Sequence, residues 1–174
     1  TLYWDWTSRR RPLHYMKHCG TPPEHLMFGL RAAFDMIFEE GLEAIWSRHA
    51  LLAGATHAAV SKWAEGQALS FNIVEPSQRA ASVTPVLLQG YEPDALAEYT
   101  RAVCGVTLGS GIGDLTGKAF RLAHMGHVNA PMVLGAISSV EMALQALQVP
   151  HGSGGAAAAI AHLSQGASQD RATL

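Results

Sequence analysis

The sequence is short of cysteine, short of charge and without any long apolar run. Its two cysteines, Cys19 and Cys104, make no disulfide framework, so a reducing, cytoplasmic compartment is the expectation. Charged residues are 15% of the chain and the net charge is −2. A nucleic-acid partner or an anionic membrane surface calls for a basic patch, and Arg9-Arg10-Arg11 is too short to form one. No apolar run approaches the roughly 18 residues that cross a bilayer. The first residues, Thr-Leu-Tyr-Trp-Asp-Trp, lack the basic region of a signal peptide. They also lack an initiator Met, as expected of a piece of a longer protein. Apolar residues make up 48%, enough that part of their surface is expected to meet another domain or subunit.

Hydrophobic spacing divides the chain. Residues 1–20 are irregular and rich in Trp, Tyr, His and Arg. Thr21-Pro22-Pro23-Glu24 reads as a helix start, with Thr21 as N-cap, Pro22 at the first helical position and Glu24 closing a capping box. Leu26, Leu30, Ala33, Phe34, Ile37 and Phe38 follow at helical spacing, Gly41 interrupts, and a second helical run extends from about Leu42 to Ala64. Strands are predicted at 68–74, 82–88 and 106–108, and a helix from Glu92-Pro93-Asp94 to Cys104, stopped by Gly105. Asn129 caps a helix whose buried stripe is Val133, Ile137, Val140, Leu144 and Leu147. A small Ala-rich helix over 153–163 precedes a disordered tail, 165–174. Grouped strands without regular βαβ alternation predict an α+β fold: a small, mostly antiparallel sheet with helices on one face.

The segment Gly113–Gly126 holds the main candidate site. It reads as a glycine loop followed by a strand with Arg121 at its centre. Alternation places Ala119, Arg121 and Ala123 on one face and Phe120 and Leu122 on the other. An arginine between small neighbours has room for a carboxylate, which its guanidinium grips with two parallel hydrogen bonds. A structural arginine paired with an acidic neighbour fits the same spacing, and both readings stand. Gly109-Ser110-Gly111-Ile112-Gly113 fails as a nucleotide loop: Ile112 stands where a Walker glycine belongs, and Ala119 follows Lys118 where Ser or Thr is required. It reads instead as a flexible connection between strands. His124-Met125-Gly126-His127 and the group His14, His18 and His25 lack the converging ligand pattern of a metal site. His124 is expected to be packed or hydrogen-bonded near whatever Arg121 holds, and Cys104 to be buried and inert.

In order along the chain come Tyr3-Trp4-Asp5-Trp6, His18-Cys19-Gly20-Thr21-Pro22-Pro23, Glu39-Glu40-Gly41-Leu42-Glu43 with Trp46 and Arg48-His49, Ser82-Val83-Thr84-Pro85-Val86, and Gly117-Lys118-Ala119-Phe120-Arg121-Leu122-Ala123-His124-Met125-Gly126. This ordered set resembles the C-terminal part of a class V (fold-type I) pyridoxal-phosphate aminotransferase, within the alanine/serine–glyoxylate group. The resemblance implies that Arg121 binds the substrate α-carboxylate. It implies that Thr21, and with it His18, reaches the phosphate of pyridoxal 5'-phosphate held by the neighbouring subunit of a homodimer. Residues 1–20 would be the end of the large cofactor-binding domain, and 21–164 the connecting helix and small domain.

The resemblance implies that the family's Schiff-base lysine lies upstream; Lys17, Lys62 and Lys118 do not match its context. This chain alone would then be inactive. The implied reaction moves an amino group from alanine or serine to glyoxylate or pyruvate. Leu122-Ala123 stands where the family usually has Ile-Gly, and Ile112 occupies the place of a second arginine in a related pyridoxamine–pyruvate enzyme. Two alternatives remain: a binding or dimerisation module without catalysis, and a class V relative with lyase or desulfurase chemistry, of which the desulfurase chemistry requires a reactive Cys104.

Overall fold

The computed structural model describes residues 4–18 and 21–171, so Tyr3, Cys19 and Gly20 of the blocks above lie outside the described residues. The chain forms two compact units, one ending at Ile45 and the other beginning at Trp46.

The first unit contains helices α1 (His14–Lys17) and α2 (Glu24–Glu40). Thr21 does not cap α2: the cap residue is Pro23, which offers no side-chain hydrogen bond. The tandem prolines explain the shift. The ring of Pro23 disfavours helical geometry at Pro22, so the helix cannot begin until Pro23 is passed. The Glu24 N–H turns back to the Pro22 carbonyl at 2.9 Å instead. At the other end Gly41 takes a φ of 84°, open to glycine at little cost, and its N–H returns to Ile37 O at 2.8 Å. The apolar stripe of α2 is present, yet no side chain of the helix is buried. Phe28 and Phe38 are 73% and 75% exposed.

The second unit follows the expected α+β order. Helix α3 (Leu42–Ala64), whose first four residues fall in the first unit, is followed by β1 (Leu69–Phe71), β2 (Val83–Leu88), α4 (Pro93–Cys104), β3 (Gly109–Ser110), β4 (Ala119–Ala123), α5 (Ala130–Ala146) and α6 (Gly155–Arg171). The four strands lie in the order β1-β2-β4-β3, and every neighbouring pair is antiparallel. In β2, Thr84, Val86 and Leu88 are buried on one face, where register brings Leu122 and Phe120 of β4 opposite Thr84 and Val86. Over that face close Leu52, Val60 and Trp63 of α3, Leu96 of α4, and Val133, Ile137, Val140 and Leu144 of α5. Burying a side chain of this size is worth about 1.5–3 kcal/mol, so this layer carries most of the unit's stability. The opposite face of the sheet carries Arg121.

Helix ends follow local chemistry. Pro93 opens α4, and Gly105, at a φ of 68°, closes it with the Val106 N–H returning to Thr100 O at 3.0 Å. The Asn129 side chain accepts the Met132 N–H at 3.0 Å and starts α5. Three expectations are corrected. The strand expected at 106–108 forms at Gly109–Ser110 instead, where the missing side chain of Gly109 leaves room for Arg121. Leu147 is 37% exposed rather than buried, because α5 ends at Ala146 and Leu147 sits in its cap. Helix α6 continues to Arg171, where a disordered tail was expected from Gln165. The residues after Gln165 include Ala, Gln and Arg and no proline, so nothing local stops the helix. Among the described residues no helix is long and apolar enough to cross a membrane.

Glu141 fastens α5 to α6. Its buried carboxylate accepts the N–H groups of Gly154, Gly155 and Ala156 at 2.7, 3.1 and 2.8 Å, a charged cap on an N-terminus. Burial pushes this carboxyl up, but the three backbone donors outweigh it and hold it below its ordinary value. A depressed carboxyl contributes stability in full above the ordinary carboxylate range and loses it as pH falls toward the lowered value. Glu141→Gln is therefore expected to cost about 1–3 kcal/mol near neutrality and to flatten the acid limb of the stability curve, read by urea unfolding across pH. Asn129→Ala is expected to cost about 1 kcal/mol with no change in that limb.

Candidate carboxylate-binding site

Arg121 lies at the centre of β4, with Pro85 of β2 on one side and Gly109 of β3 on the other. Gly109 explains why β3 sits where propensity does not place it. A side chain there would press on Arg121: a Cβ would lie 3.2 Å from both Cβ and Nε of the arginine and 3.4 Å from Nη2. Without one, the guanidinium extends past β3, and its Nε–H donates to the Ser110 carbonyl at 2.8 Å. Among the described residues no carboxylate pairs with Arg121. The structural ion pair that spacing alone allowed is thus absent from the described residues, and Arg121, half-buried as a residue, borders a hollow. That hollow, about 330 Å³, is bordered by Val83, Leu108, Gly109, Ala123 and Met125 as well as Arg121.

The loop entering β4 is a built turn rather than a loose connection. Gly111 N–H donates to Ala119 O at 2.9 Å, and a side chain at Gly111 would collide with the Leu115 carbonyl. Ile112, in the same loop, is exposed. The loop leaving β4 is fixed from α3. Arg48 donates from Nη1 to the carbonyls of Gly126 and Val128 at 2.9 and 2.8 Å, and His49 Nε2 meets Gly126 O at 3.1 Å. Both ends of the Arg121 strand are thereby held.

His124 is hydrogen-bonded as expected but faces away from Arg121. Its N–H extends the ladder to Ser82 O at 2.9 Å, so alternation puts its ring on the core face with Phe120 and Leu122. Nε2 lies 2.9 Å from the Thr84 hydroxyl and Nδ1 3.1 Å from Ala81 O. Burial lowers its pKa. His57, whose ring stands edge-on to that of His124, is lowered to about 4 by burial and then by the charges of Arg79, His124 and His162. Both rings are neutral parts of the packing at neutral pH. Cys104 is half-buried at the last turn of α4.

Thr21 and His18 belong to the first unit and both are exposed. His18 ends α1 and borders a hollow of about 460 Å³ with Trp6, Arg9, Arg10 and Lys17. Four basic side chains there suit an anion such as phosphate. Around the candidate site, the sequence pattern assigned no role to Gly109 and Ser110, and Arg48 stood only as part of an ordered block. The signal for the first was present as a glycine two residues ahead of a loop glycine, and was read as part of the connection.

No family model matches the chain. It is 36% identical over 162 residues to a serine–glyoxylate aminotransferase of Methylorubrum extorquens, a match covering 90% of this chain and 39% of that protein. A serine–glyoxylate aminotransferase of Arabidopsis thaliana is 39% identical over 140 residues, covering 79% of this chain and 34% of the relative. The chain thus spans well under half the length of the curated relatives it matches. Among solved structures, pyridoxamine–pyruvate aminotransferase from Mesorhizobium loti superimposes with a TM-score of 0.78 at 31% identity, covering 94% of this chain and 41% of the other. In sequence and in fold, the chain belongs with the C-terminal part of the class V (fold-type I) aminotransferases.

Proposed function

We propose that this chain supplies the substrate-carboxylate half of a pyridoxal-phosphate aminotransferase, with Arg121 as the residue that grips the carboxylate. The observation that carries the reading is a guanidinium on a sheet face, held through Nε by Ser110, with no carboxylate partner among the described residues. A cation placed this way binds a planar anion without having to break an ion pair first. Arg121 orients the substrate; the half-buried strand and the hollow beside it limit the water around the carboxylate.

Thr21 and His18 would reach the phosphate of the cofactor held by the neighbouring subunit of a homodimer, and the basic hollow beside His18 fits that group. When bound, pyridoxal phosphate supplies the electron sink that lets a bond at the substrate's α-carbon break. The lysine that anchors it would come from a large domain outside this sequence, so the chain alone would bind carboxylates without transaminating. The relatives named for serine and glyoxylate favour a small amino acid as donor and a 2-oxo acid such as glyoxylate as acceptor. Residues up to 20 would be the exit of that large domain and 21–164 the connecting helix and small domain. The exposed apolar side chains of α2 fit a helix covered in a homodimer.

The test is turnover in the complete reading frame. Serine and glyoxylate are expected to react there, with Arg121→Ala lowering kcat/KM by at least about a hundredfold, the scale of losing a charge-assisted bidentate contact. Arg121→Lys keeps the charge but not the fork and is expected to fall between the two. Full activity in Arg121→Ala, or no 2-oxo-acid-dependent turnover in the parent, would sink the proposal.

A further inference from the structure

Arg121 presents five N–H donors in one plane, one on Nε and two on each Nη. A carboxylate can take them in two bidentate ways: side-on, through Nε and one Nη, or end-on, through both Nη atoms. The side-on edge is already engaged, because the Nε–H donates to Ser110 O at 2.8 Å, well within hydrogen-bond range. Taking a carboxylate there would strip the Ser110 carbonyl of its donor. We propose that Gly109 and Ser110 are positioning residues that commit Arg121 to end-on binding, and so fix the plane in which a substrate carboxylate must lie. The proposal rests on the reading of Arg121 as the carboxylate site.

The two residues act differently. Ser110 acts through its backbone carbonyl, as an acceptor that any side chain at that position would leave in place. Gly109 acts by lacking a side chain. It stands directly opposite Arg121 in the β3–β4 ladder, and its φ is outside the positive range, so the backbone there suits any residue. What a larger residue lacks is room, since even a Cβ would stand 3.2 Å from Nε and 3.4 Å from Nη2. Those two nitrogens form the side-on edge. An added methyl pushes the guanidinium off Ser110 O by a few tenths of an ångström, and a branched side chain pushes it further. Once displaced, the fork can rotate, and the end-on geometry is no longer imposed. Gly109 is thus a specificity determinant for the orientation of the carboxylate, separate from the charge that attracts it.

The experiment uses the 174-residue chain, labelled with ¹⁵N, and glyoxylate as the probe. In the parent, the Arg121 Nε–H is expected to exchange slowly with water before glyoxylate is added and to keep its shift afterwards, while the Nη signals move and sharpen. Gly109→Val is expected to speed Nε–H exchange and weaken glyoxylate binding by about tenfold, the scale of one strained charge-assisted hydrogen bond. Gly109→Ala should lie between, and its amide spectrum checks that the sheet is intact. A large glyoxylate-induced shift of Nε–H with the Nη signals unmoved would mean side-on docking and overturn the inference. So would a folded Gly109→Val that binds as the parent does. If no Arg121 signal responds to glyoxylate, the carboxylate reading itself fails, and that outcome is separable because Nε–H exchange in the free chain still reports the Ser110 bond.

Discussion

Gly109 and Arg121 face each other across the β3–β4 ladder, and the space left by the missing side chain lets a guanidinium lie along the sheet. The rest of the second unit serves that contact. Phe120 and Leu122 anchor β4 in the core on one face, which by alternation sends Arg121 to the other. Pairing with β2 fixes the strand's register, the Gly111–Ala119 bond closes the turn before it, and Arg48 ties down the loop after it. An arginine on a mobile loop would spend binding energy on becoming ordered; this one is ordered before any ligand arrives.

The same contact marks the limit of what the sequence shows. Helices α4 and α5 were legible because their ends carry local signals: Pro93 and Gly105 for one, Asn129 for the other. Strands β2 and β4 were legible because alternation survives in them. β3 was not, since Val106-Thr107-Leu108 has the higher strand propensity while the strand forms at Gly109–Ser110, two residues with little. Tertiary need for space at Arg121 overrode propensity there. The start of α2 was misplaced because two prolines in a row restrict the first of them, an effect that outweighs a good capping residue at Thr21. His124 was expected beside the ligand of Arg121 and lies on the opposite face, because the ladder runs one residue beyond the strand. That extension depends on the Ser82 carbonyl, more than forty residues away, and no local pattern reveals it.

The two units differ in what completes them. The second has a closed core and its polar ends are answered internally, as Glu141 does for α6. The first leaves large apolar side chains on α2 exposed and gathers four basic ones at the hollow beside His18. Such an arrangement accords with relatives more than twice as long as this chain. On the proposed reading the chain would bind and orient the substrate, and the reacting bond would be handled by the rest of the protein.

The central claim is that Arg121 is a carboxylate clamp and not a structural arginine. A crystal structure of the chain soaked with glyoxylate tests it most directly. The account predicts a carboxylate within hydrogen-bond distance of both Nη atoms of Arg121, with Nε still on Ser110 O. Glyoxylate located elsewhere, with Arg121 instead paired to an aspartate or glutamate of the chain, would contradict it.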